Sequence, residues 1–347
     1  MRDITYIFET FAEKYNHGGS KARPDVNEIF KQVLGKSYYG YRRRRKYKNL
    51  FGKIYYILNI RHWKMIRKLY LLSSKRIFMQ YPFAVNKIVK MALKRVVKKN
   101  QVVLLVHDLE WLRPYKSNKS EELEILNNCQ ACIVHNKYMA KYLKDNGIQV
   151  PMIELNCFDY LRQSDKHQMR KLSNEIAFAG NLNKSKFIKD FGLLRNVFFL
   201  YGPSDKALEI GTNVVYEGAY TPDIVPEKLR GSFGLIWDGD AIETCTGLLG
   251  EYTKYNNPHK LSLYIAACLP VIVWSESAIA EFVKNEKIGF CVNSLYDIYD
   301  EINRMTIDEY NVYVDNISKL QNKVINGYFT KSAMKKAAEF FSGKYKE

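Results

Sequence analysis

The chain has 347 residues, 47% of them apolar, enough for two globular domains with real cores. Its longest apolar runs, such as Ile54–Ile60 and Val102–Val106, fall far short of the roughly 20 residues that span a bilayer, and the N-terminus lacks a secretory pattern, so the expected location is the cytoplasm. The formal charge of +18 is lopsided: residues 1–100 hold 25 Lys and Arg against 5 Asp and Glu, the remainder nets −2, and the first third therefore needs an anionic partner.

Short runs rich in Val, Ile, Phe and Tyr predict strands over Ile4–Phe8, Arg76–Gln80, Val102–His107 and Ala131–His135. Helical spacing falls between them, over Pro24–Leu34, Val85–Lys99, Ser120–Asn128 and Lys137–Asn146. One stretch, Arg42–Arg76, breaks the alternation. It interleaves Lys and Arg with Tyr, Trp, Leu and Ile, and Ile54, Leu58, Ile60, Trp63, Ile66, Leu69 and Tyr70 would give a helix an apolar stripe opposite a cationic face. That pattern suits an anionic membrane surface, where each Lys or Arg is worth about 1 kcal/mol. The blander alternative is a solvated helix covering the first sheet. A nucleic-acid partner is not expected, because no recognition motif accompanies the charge.

Six cysteines, including Cys129 and Cys132, are expected to be thiols. A zinc site would need two more closely spaced ligands than the sequence offers. A polar, weakly patterned seam over 159–174 reads as the connection to a second α/β unit. There, strands are predicted over Glu175–Ala179, Phe198–Tyr201, Val214–Glu217, Leu235–Trp237 and Pro270–Trp274, with helices over His259–Ala267 and Ser277–Lys284. Alternating strands and helices argue for parallel sheets covered on both faces. The expected domains are residues 1–165 with a basic insertion at about 42–76, residues 166–330, and a C-terminal helix within 331–347 that packs back on either half.

Ligands of open parallel sheets bind at the carboxyl ends of the strands. Behind Glu175–Ala179 stands Gly180-Asn-Leu-Asn-Lys184-Ser-Lys-Phe187, a turn that lets a ligand approach Gly180 and offers Lys184 to a phosphate. The stronger segment is Tyr255-Asn-Asn-Pro-His-Lys260, which opens a helix with free N–H groups beside His259 and Lys260, an arrangement suited to a diphosphate. Asp238-Gly-Asp240 is read as a strand-ending turn rather than a metal site.

In this order the motifs His17–Val26, Val106–Asp108, Phe178–Phe187, Leu200–Gly202 and Tyr255–Lys260, followed by "LPVIVW", resemble GT-B glycosyltransferases. More closely they resemble the bacterial group that holds β-galactofuranosyltransferases and the glucosyltransferases extending adhesin glycans. The resemblance implies two Rossmann-like domains facing each other across a cleft. It implies a UDP-sugar donor held by Lys260 and the segment Asn257, Pro258, His259, Leu261 and Ser262, with Lys184 adding charge and Tyr220 meeting the base or ribose. Gly19, Ser20, Lys21 and His107 would line the acceptor side of the cleft. Some family members carry Arg where this chain has Lys184, which keeps the charge and loses the bidentate fork.

An inverting transfer needs a base, and Asp108 is the first candidate with Glu251 the second. No metal and no cofactor are expected. The leading reading is transfer of galactofuranose, galactose or glucose to a cell-surface glycan carried on a lipid diphosphate, at the inner face of the cell membrane. The alternatives are extension of an O-glycan on a surface protein and, in another class, a nucleic-acid-binding protein. The sequence leaves room for a homo-oligomer.

Overall fold

A computed structural model describes residues 3–10, 21–35, 37–42, 60–83, 85, 87–113, 117–205 and 210–341. The first sheet joins β1 (Ile4–Thr10), β2 (Ser37–Arg42), β3 (Arg76–Tyr81), β4 (Gln101–Val106), β5 (Ala131–Val134) and β6 (Met152–Glu154) in the order β2-β1-β3-β4-β5-β6, every neighbour parallel. Its helices are α1 (Ala22–Leu34), α2 (Ile60–Leu71), α3 (Lys87–Lys99), α4 (Lys119–Asn127) and α5 (Lys137–Asp145).

The second sheet joins β7 (Glu175–Ala179), β8 (Val197–Tyr201), β9 (Val214–Gly218), β10 (Phe233–Ile236), β11 (Val271–Trp274) and β12 (Gly289–Val292), again all parallel, in the order β12-β11-β10-β7-β8-β9. Its helices are α6 (Val225–Lys228), α7 (Gly247–Tyr252), α8 (His259–Ala266), α9 (Ala280–Glu286), α10 (Ile298–Arg304), α11 (Ile307–Ile325) and α12 (Tyr328–Phe340).

The strands form where the sequence is apolar on both faces. Val102–Val106 is fully buried because helices cover the sheet on each side. Three of the described α-helices start on side-chain caps. Asn118 accepts from the Glu121 N–H, Asn136 from Met139, and Thr306 forms a capping box with Glu309. Each sheet reverses strand direction of growth once, between β1 and β3 and between β7 and β10, and these two switch points carry the site.

The seam is tightly held. Arg170 is buried and donates to the carbonyls of Ala267, Cys268, Leu229 and Gly231, and burial lowers its pKa to about 10. Asp159 accepts from the N–H groups of Phe329 and Thr330, capping α12 from the crossing chain. That helix returns to the first sheet, where Ala333, Met334 and Ala337 pack with Phe30 and Phe78. Cys129 and Cys132 are buried thiols with sulfurs 3.4 Å apart. No helix among the described residues is long and apolar enough to cross a membrane.

Candidate active site

The carboxyl ends of both sheets face one cleft of about 470 Å³, within the roughly 300–1,000 Å³ usual for small-molecule sites. At the second switch point, β7 is followed by Gly180 and β10 by Trp237 and Asp238. Lys260, in the first turn of α8, reaches between them. Its ammonium donates to the Trp237 carbonyl (3.0 Å) and to Asp238 (3.2 Å) and lies 4.8 Å from the Phe178 ring centre. A Cβ on Gly180 would stand 3.3 Å from Lys260 Cε, so glycine keeps this floor open. Gly202 is held harder: at φ +135°, a Cβ there would lie 1.8 Å from the Gly180 carbonyl oxygen.

Pro258 supplies no side-chain cap to α8, and Leu261 already donates its N–H to Pro258. The N–H groups of His259 and Lys260 are left at the positive end of the helix dipole, beside the cleft. Leu261 and Ser262 bury their side chains in the core, so they offer the cleft no side-chain group. Lys184 lines the cleft and its ammonium meets no carboxylate among the described residues. Tyr220 also lines it, 6.4 Å ring to ring from Tyr201. Asp238 is paired with Lys260, and Asp240 pairs with Lys186, so both acids of the Asp-Gly-Asp turn face lysines.

From the first domain, Asp108 lines the cleft behind β4, paired with Arg113 and 3.4 Å from the Tyr252 hydroxyl. Glu251 does not line it: the short α7 turns Leu249 inward and leaves Glu251 exposed, paired with Lys254 at 3.0 Å. His107 stacks on Phe158 and shares a 2.6 Å hydrogen bond with Gln80. Lys21 is outside the cleft lining. It bridges Asp25 (3.0 Å) and Asp223 of the second domain (3.1 Å), tying the two halves at the cleft's edge. Gly19 and Ser20 lie outside the described residues.

His259 stacks on Tyr160 with ring centres 5.2 Å apart, beside Phe158, so the crossing segment supplies an aromatic wall. This two-domain arrangement, with one helix N-terminus and its lysine at a switch point, is the GT-B architecture. A family model described as "Glucosyltransferase 3-like, N-terminal domain" matches residues 4–157, and one described as "Glucosyltransferase 3-like, C-terminal domain" matches residues 176–337.

The chain belongs to the glucosyltransferase 3-like family of glycosyltransferases.

The beta-1,6-galactofuranosyltransferase WbbI of Escherichia coli K12 is 34% identical over 248 residues, covering 70% of this chain and 72% of that protein. Sucrose-phosphate synthase of Thermosynechococcus elongatus superposes with a TM-score of 0.62 at 12% identity, covering 99% of this chain and 100% of that one. HepE of Anabaena, solved with UDP and glucose, superposes at 0.57 with 13% identity, covering 98% and 99%.

In this glucosyltransferase 3-like chain, the cleft also uses residues to which the sequence assigns no role of their own: His135, Arg23, Asn181 and Asn256. The loop ahead of α8 is locked from the opposite domain. Asn257 donates its backbone N–H to His135 Nδ1 (2.8 Å), and its side chain donates to the carbonyls of His135 and Asn156 (2.8 Å each) and accepts from Asn136 (2.6 Å). Asn257 thus spends its side chain on the first domain and positions the helix start. Burial lowers the His135 pKa to about 4, so the ring is neutral, with Nε2 donating to the Val106 carbonyl at 3.1 Å. Arg23 is buried and lines the cleft, and it bridges the first switch point by donating to the Pro82 carbonyl at 2.8 Å. Asn181 and Asn256 also line the cleft, each with a buried side-chain oxygen that has no partner among the described residues. The available signal is position: Arg23, Asn181 and Asn256 fall inside the segments His17–Val26, Phe178–Phe187 and Tyr255–Lys260, and His135 directly follows β5.

Proposed function

We propose that the enzyme transfers a hexosyl unit from a UDP-sugar to a carbohydrate acceptor with inversion, in cell-surface polysaccharide assembly. The observation that carries the donor half is Lys260 on an uncapped helix start at the β7/β10 switch point, a built site for a diphosphate. Lys184 adds a second cation at the same mouth, and this positive charge takes the place of a metal or cofactor. The unpartnered oxygens of Asn181 and Asn256 are suited to accept from sugar hydroxyls or from the uracil N–H.

In the transfer, Asp108 takes the proton of the acceptor hydroxyl as its oxygen bonds to the anomeric carbon. The bond from that carbon to the phosphate oxygen breaks on the opposite face, and UDP leaves with the electron pair, stabilised by Lys260 and the N–H groups of α8. Galactofuranose is the favoured sugar because the WbbI relative is named for it, and glucose is the second because the family description names it. The acceptor-bearing side is the first domain, with Arg23 and His107 on its wall. A panel of UDP-sugars scored for hydrolysis and thermal stabilisation tests the reading. One UDP-hexose should stand out, and stabilisation by none of them would sink it.

A further inference from the structure

Between Glu28 and Asp108 the sequence holds 21 Lys and Arg and no Asp or Glu. Within that stretch, Ile66, Leu69 and Leu72 of the α2 region are buried in the first domain's core. Residues 43–59 of the basic stretch, with Ile54 and Leu58 of the expected apolar stripe, lie outside the described residues; the described part of the stripe is split, because Ile66 and Leu69 are buried in the core while Ile60, Trp63 and Tyr70 are not. The solvent side keeps Ile60, Trp63, Tyr70 and Leu71, the last 64% exposed, interleaved with Lys64 and Arg67. On α3 the exposed residues include Lys87, Ile88, Lys99 and Met91, which is 62% exposed.

The two helices share this face. Arg95 of α3 donates to the Tyr70 carbonyl at 2.8 Å and its guanidinium lies 4.5 Å from the Tyr70 ring centre. Lys90, Lys94 and Lys98 turn away to Glu121 and Glu124 of α4. Lys64, Arg67, Lys87 and Lys99 meet no carboxylate among the described residues. A solvated helix face has no reason to combine large apolar side chains with cations and exclude every acid. A bilayer interface has one: the apolar and aromatic side chains enter the headgroup boundary, and each cation near an anionic leaflet adds about 1 kcal/mol.

We propose that the solvent faces of α2 and α3 form one docking surface for an anionic lipid bilayer. In a parallel α/β sheet the N-termini of these helices lie at the carboxyl ends of the strands, so Ile60, Trp63, Lys87 and Ile88 stand on the cleft side. Docking on these faces lays the bilayer alongside the first domain and brings the cleft-side ends of both helices to its surface, where a lipid-borne acceptor is presented. The inference stands apart from the donor assignment, since it needs no catalysis to test.

The experiment is cosedimentation of the full chain with phosphatidylcholine vesicles, with and without phosphatidylglycerol. The comparison set is the parent, the charge variant Lys64→Glu/Arg67→Glu and the apolar variant Leu71→Ser/Met91→Ser, all at exposed positions and each checked by thermal melting. The parent should bind anionic vesicles and lose that binding in high salt. Each variant should weaken it by about tenfold or more, the equivalent of losing one to two surface cations or a comparable apolar anchor. Equal parent binding to neutral vesicles overturns the proposal, as does unchanged binding by the apolar variant. The latter result would mark a plain polyanion surface such as one for RNA. A parent dimer that the apolar variant dissociates, with vesicle binding unaltered, also overturns it, because a second copy would then own the face.

Discussion

Removing the Asn257 side chain should loosen the donor helix from the opposite domain. Asn257 is 4% exposed and its amide makes three hydrogen bonds, all to residues of the first domain: Asn136, the His135 carbonyl and the Asn156 carbonyl. At about 0.5–1.5 kcal/mol net for each, losing the three should cost Asn257→Ala about 1.5–4.5 kcal/mol. The backbone bond to His135 Nδ1 survives the change, so the loop should be displaced rather than lost. Asn257→Asp should do at least as much harm, since it turns a carboxylate oxygen toward two carbonyl oxygens. The assay is urea unfolding paired with calorimetric titration of UDP. Both variants should unfold at lower urea, and UDP affinity should fall although no UDP-facing side chain has been touched. Unfolding and affinity both equal to the parent's would refute the idea that the first domain positions α8.

Two further outcomes follow from the geometry. Asp108→Asn should lower kcat by about 10²–10⁴, the range for a lost general base, while UDP affinity measured by titration stays within twofold; a fully active variant would remove Asp108 from the mechanism. Burial raises the Asp25 pKa to about 7 in spite of its bond to Lys21. The folded state therefore holds a proton that the unfolded chain has released above its ordinary pKa of 3.8, and the stabilising contribution is lost as pH rises from about 4 through 7. Asp25→Asn should accordingly gain stability relative to the parent across that window, and a pH-independent difference in melting temperature would contradict it.

Much of the fold was written in local pattern. β7 is legible because Ile176–Ala179 is apolar between Glu175 and Gly180, and α8 because Asn257-Pro258 announces a helix start. Three strands have no local pattern of this kind. β2 is Ser-Tyr-Tyr-Gly-Tyr-Arg, with a glycine and a basic end. β6 is only three residues, and β12 carries a glycine and half-buried Phe290 and Cys291. Lys260 could be picked out because its helix start is local in sequence. The His135–Asn257 lock could not, because its partners stand 122 residues apart and meet only when the two sheets face each other. Glu251 shows a different limit: the sequence of a six-residue helix does not say which side faces the cleft, and the packing of Tyr252 into the first domain's core decides it.

The most direct test of the account is UDP binding by the parent and by Lys260→Ala, measured by isothermal titration in metal-free buffer. Lys260 is the cation at the switch point, and its loss should weaken UDP by about tenfold or more, or ~1.4 kcal/mol, the low end for a charged hydrogen bond. Equal affinity in the two proteins, or no UDP binding by the parent, would contradict the placement of the donor diphosphate at the start of α8.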